Sequence, residues 1–341
     1  MLGLKGGAVF ETNFLYNEQW SEIKRKDNTF AFENDTGKKY IPVEELNDIY
    51  VFGELTLNKR FLEYASRKEV PIHFFNYYGY YIGSFYPREH LNSGYMILKQ
   101  AEFYLNDEKR MFLAKQFIKG SAQNIQHVLK YYINRGNEDL NDISYAISEL
   151  INKLDICNGI NQLMAVEGNI RDIYYKSFDI ILQNPDFAFD KRTRRPPQNY
   201  INTMISFGNS IMYTIILSEI YKTHLDPRIG YLHSTNFRRF TLNLDVSEIF
   251  KPIIIDRMIL TLISKKMITK KNFDKDTNGI ILKDKGKQLI LQEIDNRLRT
   301  TIHHREFGRN VSYRTIIRME LYKLEKHLMG EKEYEPFQSR W

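Results

Sequence analysis

The stretch from Gly230 to Arg257 reads GYLHSTNFRRFTLNLDVSEIFKPIIIDR, and it brings one histidine and two acids close together along the chain. His233 stands in a turn-like segment. The spacing of apolar residues from Leu244 onward predicts a helix that carries Asp245 and Glu248. Side chains three positions apart lie on one face of a helix, so we expect the two carboxylates to lie a turn apart.

A second contributor lies well upstream, at Glu167 in the segment LMAVEGNIRDIYY, whose apolar spacing predicts the middle of a helix. One imidazole and two or three carboxylates form an oxygen-rich set of ligands, which suits Mg²⁺ or Mn²⁺ better than zinc. The residues alone leave other roles open. His233 could act as a general base, and Glu167 could be a solvated helix residue. Asp245 and Glu248 could simply stabilise the positive end of a helix.

The composition indicates a protein with real hydrophobic cores and a moderate positive charge. The 341 residues are 43% hydrophobic, and 49 Lys and Arg against 42 Asp and Glu give a net charge of +7. This length favours two domains, and this charge fits a polyanion partner without requiring one.

The single cysteine, Cys157, excludes an intrachain disulfide and a cysteine-based metal site, which fits a reducing cytoplasm. The first residues include no apolar stretch long enough for a signal peptide. The most apolar long run, Tyr200 to Tyr221, is interrupted by polar residues, so we interpret it as a buried helix and expect no membrane partner.

Two textures divide the chain. Over residues 1–86, short apolar alternations are separated by turn residues, which predicts a small β-rich domain. A linker is expected over residues 87–94. From residue 95 to residue 341 helical periodicity dominates, which predicts a larger all-α domain that carries every candidate ligand. The predicted fold class is therefore α+β.

Particular elements follow from the same patterns. The predicted strands of the first domain are Phe30–Phe32, Ile49–Phe52, Val70–Phe75 and Tyr80–Phe85, beside one helix at Leu57–Arg67. In the second domain the predicted helices include Tyr95–Leu105, Ile151–Tyr175 with Glu167, Asn199–Tyr221 and Ser312–Leu328.

Several blocks of sequence, in this order, resemble one family. They are VFG at residues 51–53, EVPIHFFN followed by GYYIG at 69–83, PPQNYINTMISFGNSIMY at 196–213, GYLHS at 230–234, LDVSEIFKP at 244–252 and VSYRTIIRMELYKLEKHL at 311–328. The family that they resemble is the CRISPR-associated integrase, which inserts new spacers during adaptation. The resemblance spans nearly the whole chain.

The resemblance implies a metal triad of Glu167, His233 and Glu248, with Asp245 beside the metal and Mg²⁺ or Mn²⁺ as the ion. It implies an endonuclease and integrase that joins DNA 3′-hydroxyl ends into a CRISPR array by phosphoryl transfer. Its partners would be DNA, a second copy that pairs through the β-rich domain, and a small CRISPR-associated protein. Arg238 stands where the family usually has glycine.

DNA has to be held by its backbone, and the arginine fork suits phosphate. The candidate DNA-binding residues are Arg192, Arg194, Arg195, Arg238, Arg239, Lys251, Arg305, Arg309, Arg314 and Arg318. The neighbouring His303 and His304 have metal-binding side chains but no partner at ligand spacing, so we interpret them as structural or phosphate-facing residues.

Two other functions compete with this interpretation. The chain could be a nucleic-acid-binding protein without catalysis, which would be indifferent to chelation and to loss of Glu167. It could also be a metal-dependent nuclease that acts on RNA and does not integrate. A supply of DNA with free 3′ ends, and a search for joined products, separates that nuclease from an integrase.

The basic pair after His233 gives a first prediction. Replacement of Arg238 or Arg239 by alanine is expected to weaken DNA binding and to flatten its salt dependence, by about one unit of slope for each phosphate that is no longer neutralised. A salt titration of DNA affinity measures both effects. Binding that is unchanged across the titration would contradict the prediction.

Overall fold

The chain is described in a computed structural model over residues 16–17, 22–34, 37–88, 91, 93–194, 196–235, 240–276, 279–304 and 308–339. It divides into two compact units, one formed by residues 1–90 with 282–295 and the other by residues 91–281 with 296–341. The predicted domain limits at residues 86 and 95 stay a prediction. The grouping of residues 282–295 with the first unit was not predicted. The periodicity of a sequence can indicate a helix, but it does not show which other elements that helix packs against.

The first unit is rich in strands. Within its described residues they are β1 (Tyr16–Asn17), β2 (Glu22–Lys26), β3 (Thr29–Asn34), β4 (Gly37–Pro42), β5 (Ile49–Val51), β6 (Thr56–Leu57), β7 (Ile72–Phe75) and β8 (Tyr81–Phe85). One sheet has the order β4-β3-β2-β6 and the other has the order β1-β5-β7-β8. In the first sheet β2 and β3 pair antiparallel, with Ile23 opposite Phe32. The predicted strands at residues 30–32, 49–52, 70–75 and 80–85 are confirmed.

Helix α1 (Lys59–Arg67) packs against the first sheet. Asn58 caps it, because its side chain accepts the Phe61 N–H at 2.9 Å. Phe61 then packs edge-on against Phe30, with ring centroids 4.9 Å apart. These two rings join a core of buried aliphatic and aromatic residues, which is what a small β-rich unit needs for stability.

Helices dominate the rest of the chain. They are α2 (Gly94–Leu105), α3 (Asp107–Ile133), α4 (Leu140–Asn152), α5 (Ile160–Leu182), α6 (Tyr200–Tyr221), α7 (Leu242–Lys251), α8 (Arg257–Ser264), α9 (Asp284–Arg299) and α10 (Tyr313–Leu328). The α+β class is confirmed. The predicted helix from residue 151 to residue 175 begins too early, because Gly159 is extended and α5 starts only after it.

Two short pairs of strands interrupt the helices, so this region is mostly rather than wholly helical. They are β9 (Phe273–Asp276) with β10 (Gly279–Leu282), and β11 (Thr301–His304) with β12 (Arg309–Ser312). Neither pair was predicted, because β9, β11 and β12 are largely charged and polar and the apolar run of β10 is only three residues long. In the described ranges, no helix combines the length and the apolar character that crossing a membrane requires.

Helix α7 runs into α8 through a π-helical turn at Pro252–Asp256. A proline has no N–H, so Pro252 leaves the main-chain carbonyl of Glu248 without its usual helical donor. Such π turns disturb the hydrogen-bond ladder and are frequent at functional sites. The end of α7 therefore needs hydrogen-bond donors from other elements.

The C-terminal segment provides part of that support. Asn124 of α3 donates from Nδ2 to the carbonyls of Ile249 (2.9 Å) and Phe337 (3.1 Å), and its Oδ1 accepts the Ser339 N–H at 2.8 Å. The Phe337 ring stacks on Phe250, with centroids 5.8 Å apart and planes 13° from parallel. The segment therefore ties α3 to the end of α7.

Gly120 makes this close approach possible and gives a prediction. A Cβ at this position would lie 2.6 Å from the Pro336 Cβ, so Gly120→Ala should destabilise the fold by about 1–3 kcal/mol. Gly168→Ala is the matched control, because Gly168 is also inside a helix. A Cβ added there would meet no atom of another element within 4 Å, so alanine should stabilise the fold by about 1 kcal/mol. Denaturant midpoints measure both changes. Equal shifts of the same sign would contradict the packing argument.

Candidate active site

Asp245 organises the loop that carries His233. Its side chain is wholly buried in the first turn of α7. It accepts the main-chain N–H groups of Tyr231 (2.5 Å), Leu232 (3.0 Å) and His233 (2.9 Å), and it contacts the His233 Nδ1 at 2.8 Å. A carboxylate that accepts at Nδ1 fixes the proton there, which leaves Nε2 as the nitrogen with a free lone pair.

The loop is also held from its other side. Gln100 of α2, which is fully buried, donates from Nε2 to the Asp226 carbonyl at 3.0 Å and accepts the Asp226 N–H at 2.7 Å. Thr241 accepts the Gly230 N–H at 2.8 Å and donates to the Arg228 carbonyl at 2.9 Å. The position of His233 is therefore set by elements at both ends of its loop.

Glu248, one turn after Asp245 on α7, is buried between two cations. Its Oε2 lies 2.7 Å from Nη2 of Arg171, and its Oε1 lies 2.5 Å from Nζ of Lys251. Burial alone would raise the pKa of Glu248, but Lys251, Arg171 and His233 overcome it and hold that pKa well below its usual range. Lys251 and Arg171 therefore favour the ionised form of Glu248.

The negative charge of Glu167 on α5 is less fully compensated by nearby cations than that of Glu248. Its Oε1 lies 3.7 Å from Nε of Arg171, and 16% of its side chain is exposed. Burial and the negative charge of Glu248 raise the pKa of Glu167, against the opposing charges of Arg171, Lys251 and His233. Glu167, Glu248 and His233 are therefore close enough for each charge to affect the ionisation of the others.

Arg171 connects the parts of this neighbourhood. Besides the two glutamates, its guanidinium contacts Ser121 Oγ at 3.3 Å and Asp256 Oδ2 at 3.3 Å. Burial and the charge of Glu248 raise the pKa of Asp256, against the charges of Arg171 and Lys251, to about 6. Arg171 was not predicted from the sequence, because an arginine inside an amphipathic helix resembles a solvated one.

Arg110 of α3 is a second residue that the sequence did not reveal. Its Nε donates to the Tyr231 carbonyl at 3.0 Å, and one of its terminal nitrogens lies 3.4 Å from Ser234 Oγ. A cation is therefore held against the loop on both sides of His233. The sequence offered no signal for this contact, since Arg110 is far from the loop along the chain.

The predicted DNA-binding residues have mixed environments. Arg194 and Arg309 are exposed, whereas Arg192 is partly buried and bound to Asn202 and Ser206 of α6. Arg195, Arg238, Arg239 and Arg305 lie outside the described residues. His303 is exposed in β11, opposite Asn310, and His304 lies opposite Arg309.

Three other predicted DNA-binding residues are engaged in ion pairs. Arg314 is buried with Nη1 at 3.1 Å from Glu219, and Arg318 places Nε 2.7 Å from the same carboxylate. Lys251 is buried on Glu248 and lies over the Tyr213 ring, 4.6 Å from its centroid. These contacts favour a structural role for Arg314 and a role at the glutamate pair for Lys251.

The residue types of this cluster suit a hard divalent cation. His233 has its Nδ1 fixed by a carboxylate, which is the arrangement typical of histidine ligands, and no hydrogen bond from a described residue occupies its Nε2. Glu167 is a partly buried carboxylate whose charge is incompletely compensated. As it stands, the described part of the chain has no group of three or more His, Cys, Asp or Glu side chains at metal-ligand spacing. Both oxygens of Glu248 are already paired, so direct binding of a metal by Glu248 requires Lys251 to release Oε1.

Comparison with known proteins gives consistent results. The sequence profile of the family described as CRISPR associated protein Cas1 matches residues 15–296. The chain is 60% identical over 327 residues to a protein of Thermodesulfovibrio yellowstonii named CRISPR-associated endonuclease Cas1 2, covering 96% of this chain and 99% of that one.

Solved structures show the same fold. A Cas1 protein from Thermotoga maritima matches with a TM-score of 0.85 and 48% identity, over 96% of this chain and 100% of that one. A casposase bound to integration product matches with a TM-score of 0.85, over 97% of this chain and 94% of that one. At 19% identity, the second likeness shows the fold alone.

The contacts of Asp245 give a prediction on stability and pH. Asp245→Asn replaces a charged acceptor of three N–H groups, so it should cost about 2 kcal/mol or more. Burial lowers the pKa of His233, but Asp245 and Glu248 overcome it and raise that pKa. A raised folded pKa means that the His233–Asp245 pair stabilises fully below about pH 6.5 and loses its effect as the pH rises through the folded pKa.

The cost of Asp245→Asn is therefore expected to be largest below about pH 6.5 and to shrink above the folded pKa of His233, without vanishing. Urea denaturation across pH measures the cost, and NMR titration of His233 should show its pKa falling in the variant. A cost that grows with pH would contradict the assignment.

Proposed function

The chain belongs to the CRISPR-associated Cas1 family, and on that premise we propose that it is a metal-dependent DNA endonuclease and integrase that uses Mg²⁺ or Mn²⁺. Its reaction would join the 3′-hydroxyl ends of short DNA fragments into a CRISPR array. The observation that carries the proposal is the pair of buried glutamates, Glu167 and Glu248, beside a histidine whose Nδ1 is fixed by Asp245.

The roles of the residues follow from their environments. Glu167 and Glu248 supply negative oxygens, and His233 supplies Nε2 because Asp245 holds the proton on Nδ1. A divalent cation bound there would polarise the scissile phosphate and stabilise charge on the leaving oxygen. The attacking hydroxyl belongs to the incoming DNA, so the chain needs no covalent nucleophile of its own.

The pKa shifts add a pH dependence. A metal ligand has to be deprotonated. Because the pKa values of Glu167 and His233 are raised, protons compete with the metal for both side chains at a higher pH than for ordinary glutamates and histidines. Glu248, with its lowered pKa, stays ionised. Metal affinity should therefore rise with pH until Glu167 and His233 have both lost their protons.

The proposed partners follow from the family. We propose that two copies pair through the β-rich unit and that the pair joins a small CRISPR-associated protein. A two-fold assembly presents two equal active sites, which suits the joining of both ends of one DNA fragment.

The proposed function predicts the effect of two substitutions. Glu167→Gln and His233→Ala should each reduce strand joining by at least ~100-fold, since loss of groups that merely support metal ligands already costs about 10–100-fold. Melting temperature and dimer content should be retained. Glu149→Ala is the matched control, because it removes an exposed acid of α4 and should leave joining unchanged.

The assay uses purified chain, the small partner protein, a labelled short duplex with 3′-hydroxyl ends and a supercoiled target. Mn²⁺, Mg²⁺ and EDTA are compared. Joined product in both metals, absent in EDTA and in the two variants, supports the proposal. DNA binding without any joined product would favour the non-catalytic alternative, and cleavage restricted to an added RNA would favour the RNA nuclease.

A further inference from the structure

The π-helical turn after α7 leaves the main-chain carbonyl of Glu248 without a helical donor, and Arg171 donates a hydrogen bond to it. Pro252 lacks the N–H that would bind the Glu248 carbonyl in a continuous α-helix. Nη2 of Arg171 donates to this carbonyl at 3.2 Å and to the Glu248 Oε2 at 2.7 Å. One nitrogen of α5 therefore fixes both the backbone and the side chain of Glu248 on α7.

The rest of the guanidinium is held as firmly. Nη1 donates to Asp256 Oδ2 at 3.3 Å, in the π-helical turn, and Nη2 is also 3.3 Å from Ser121 Oγ on α3. Nε lies 3.7 Å from Glu167 Oε1, one turn earlier on the same helix. Because a guanidinium is planar, its contacts with Glu167, Glu248 and Asp256 constrain one another.

The charges in this cluster explain why a fixed cation such as Arg171 is needed. Three buried or nearly buried carboxylates, Glu167, Glu248 and Asp256, face two buried cations, Arg171 and Lys251. Two like charges on different helices repel, and buried charge is costly unless it is paired. Without a fixed cation between them, the glutamates would turn apart or take up protons.

We propose that Arg171, anchored by Asp256, is a positioning residue that sets the separation and direction of the Glu167 and Glu248 carboxylates before a metal ion binds. This inference rests on the proposed function, since it gives those carboxylates their purpose. It assigns to Arg171 a geometric task that a charge alone does not perform. Lysine at this position would keep the charge but would lose the planar fork that reaches three carboxylates.

The test compares Arg171→Lys with a matched control, Arg314→Lys. Arg314 is also a buried arginine that pairs with a carboxylate, that of Glu219, and within the described part of the chain no hydrogen bond or ion pair joins it to Glu167, His233 or Glu248. Asp256→Asn is the second variant, which removes the anchor and keeps its volume. Mn²⁺ affinity is measured by the electron paramagnetic resonance signal of free Mn²⁺, with thermal melting in EDTA beside it.

Arg171→Lys and Asp256→Asn should each weaken Mn²⁺ binding by about 10–100-fold. The Mn²⁺ concentration for half-maximal strand joining should rise by the same factor. Arg314→Lys should lower the melting temperature and leave the Mn²⁺ affinity within about twofold of the wild type, since it touches no ligand.

The possible outcomes are distinct. Wild-type affinity in Arg171→Lys and Asp256→Asn would overturn the inference and leave the proposed function standing. Tighter binding in either variant would also overturn it, because Arg171 would then act as a competitor of the metal. A wild-type chain that binds no Mn²⁺ would overturn the proposed function itself, together with this inference. If Arg171→Lys does not fold, Asp256→Asn decides alone.

Discussion

The burial of two neighbouring carboxylates is the constraint on which the rest of the site depends. Glu167 and Glu248 come from different helices, and each raises the free energy of ionising the other unless cations lie close to them. Glu248 has two such cations in direct contact, whereas Glu167 has only the distant Nε of Arg171 among the described residues. As a result, the charge of Glu248 is compensated by contacts within the protein, whereas that of Glu167 remains available to a further cation.

The need to pair buried polar groups also applies to the backbone around the site. Asp245 satisfies the N–H groups of the histidine loop, and Arg171 takes up the carbonyl that Pro252 leaves without a donor. Asn124 serves the next carbonyl and ties it to the C-terminal segment. Buried polar groups of the main chain are nearly always paired, so an irregular helix end has to be met by side chains from elsewhere. The irregularity thus links α3, α5 and the C-terminal segment to the helix that carries Glu248.

Much of this could be predicted from the sequence. The α+β class, the strands of the first unit and the helix predicted at Ser312–Leu328 follow from local patterns, and the structure confirms them. Glu167, His233 and Glu248, which the family resemblance groups together, interact electrostatically in the structure, and their role as metal ligands stays a prediction. The sequence predicted that Asp245 and Glu248 lie one helical turn apart. It did not predict the three N–H groups that donate to Asp245, because these contacts depend on how the loop of His233 folds back onto α7.

Contacts between residues distant in sequence could not be predicted. Arg171 with Asp256 and Arg314 with Glu219 bring together charges that look solvated when each helix is considered alone. Lys251 had a visible signal, since it follows Glu248 by three positions, a spacing at which opposite charges on a helix meet. The start of the helix that carries Glu167 was also misplaced, because the connection between α4 and α5 is short and partly apolar.

The most direct measurement is anomalous diffraction at the manganese edge from crystals of the wild-type chain soaked in Mn²⁺. We expect a peak between Glu167 and Glu248 and within bonding distance of the His233 Nε2, with the Lys251 ammonium displaced from Glu248. A well-diffracting crystal that has no peak there at saturating Mn²⁺, or a peak at other residues only, would contradict the assignment of this cluster as the metal centre.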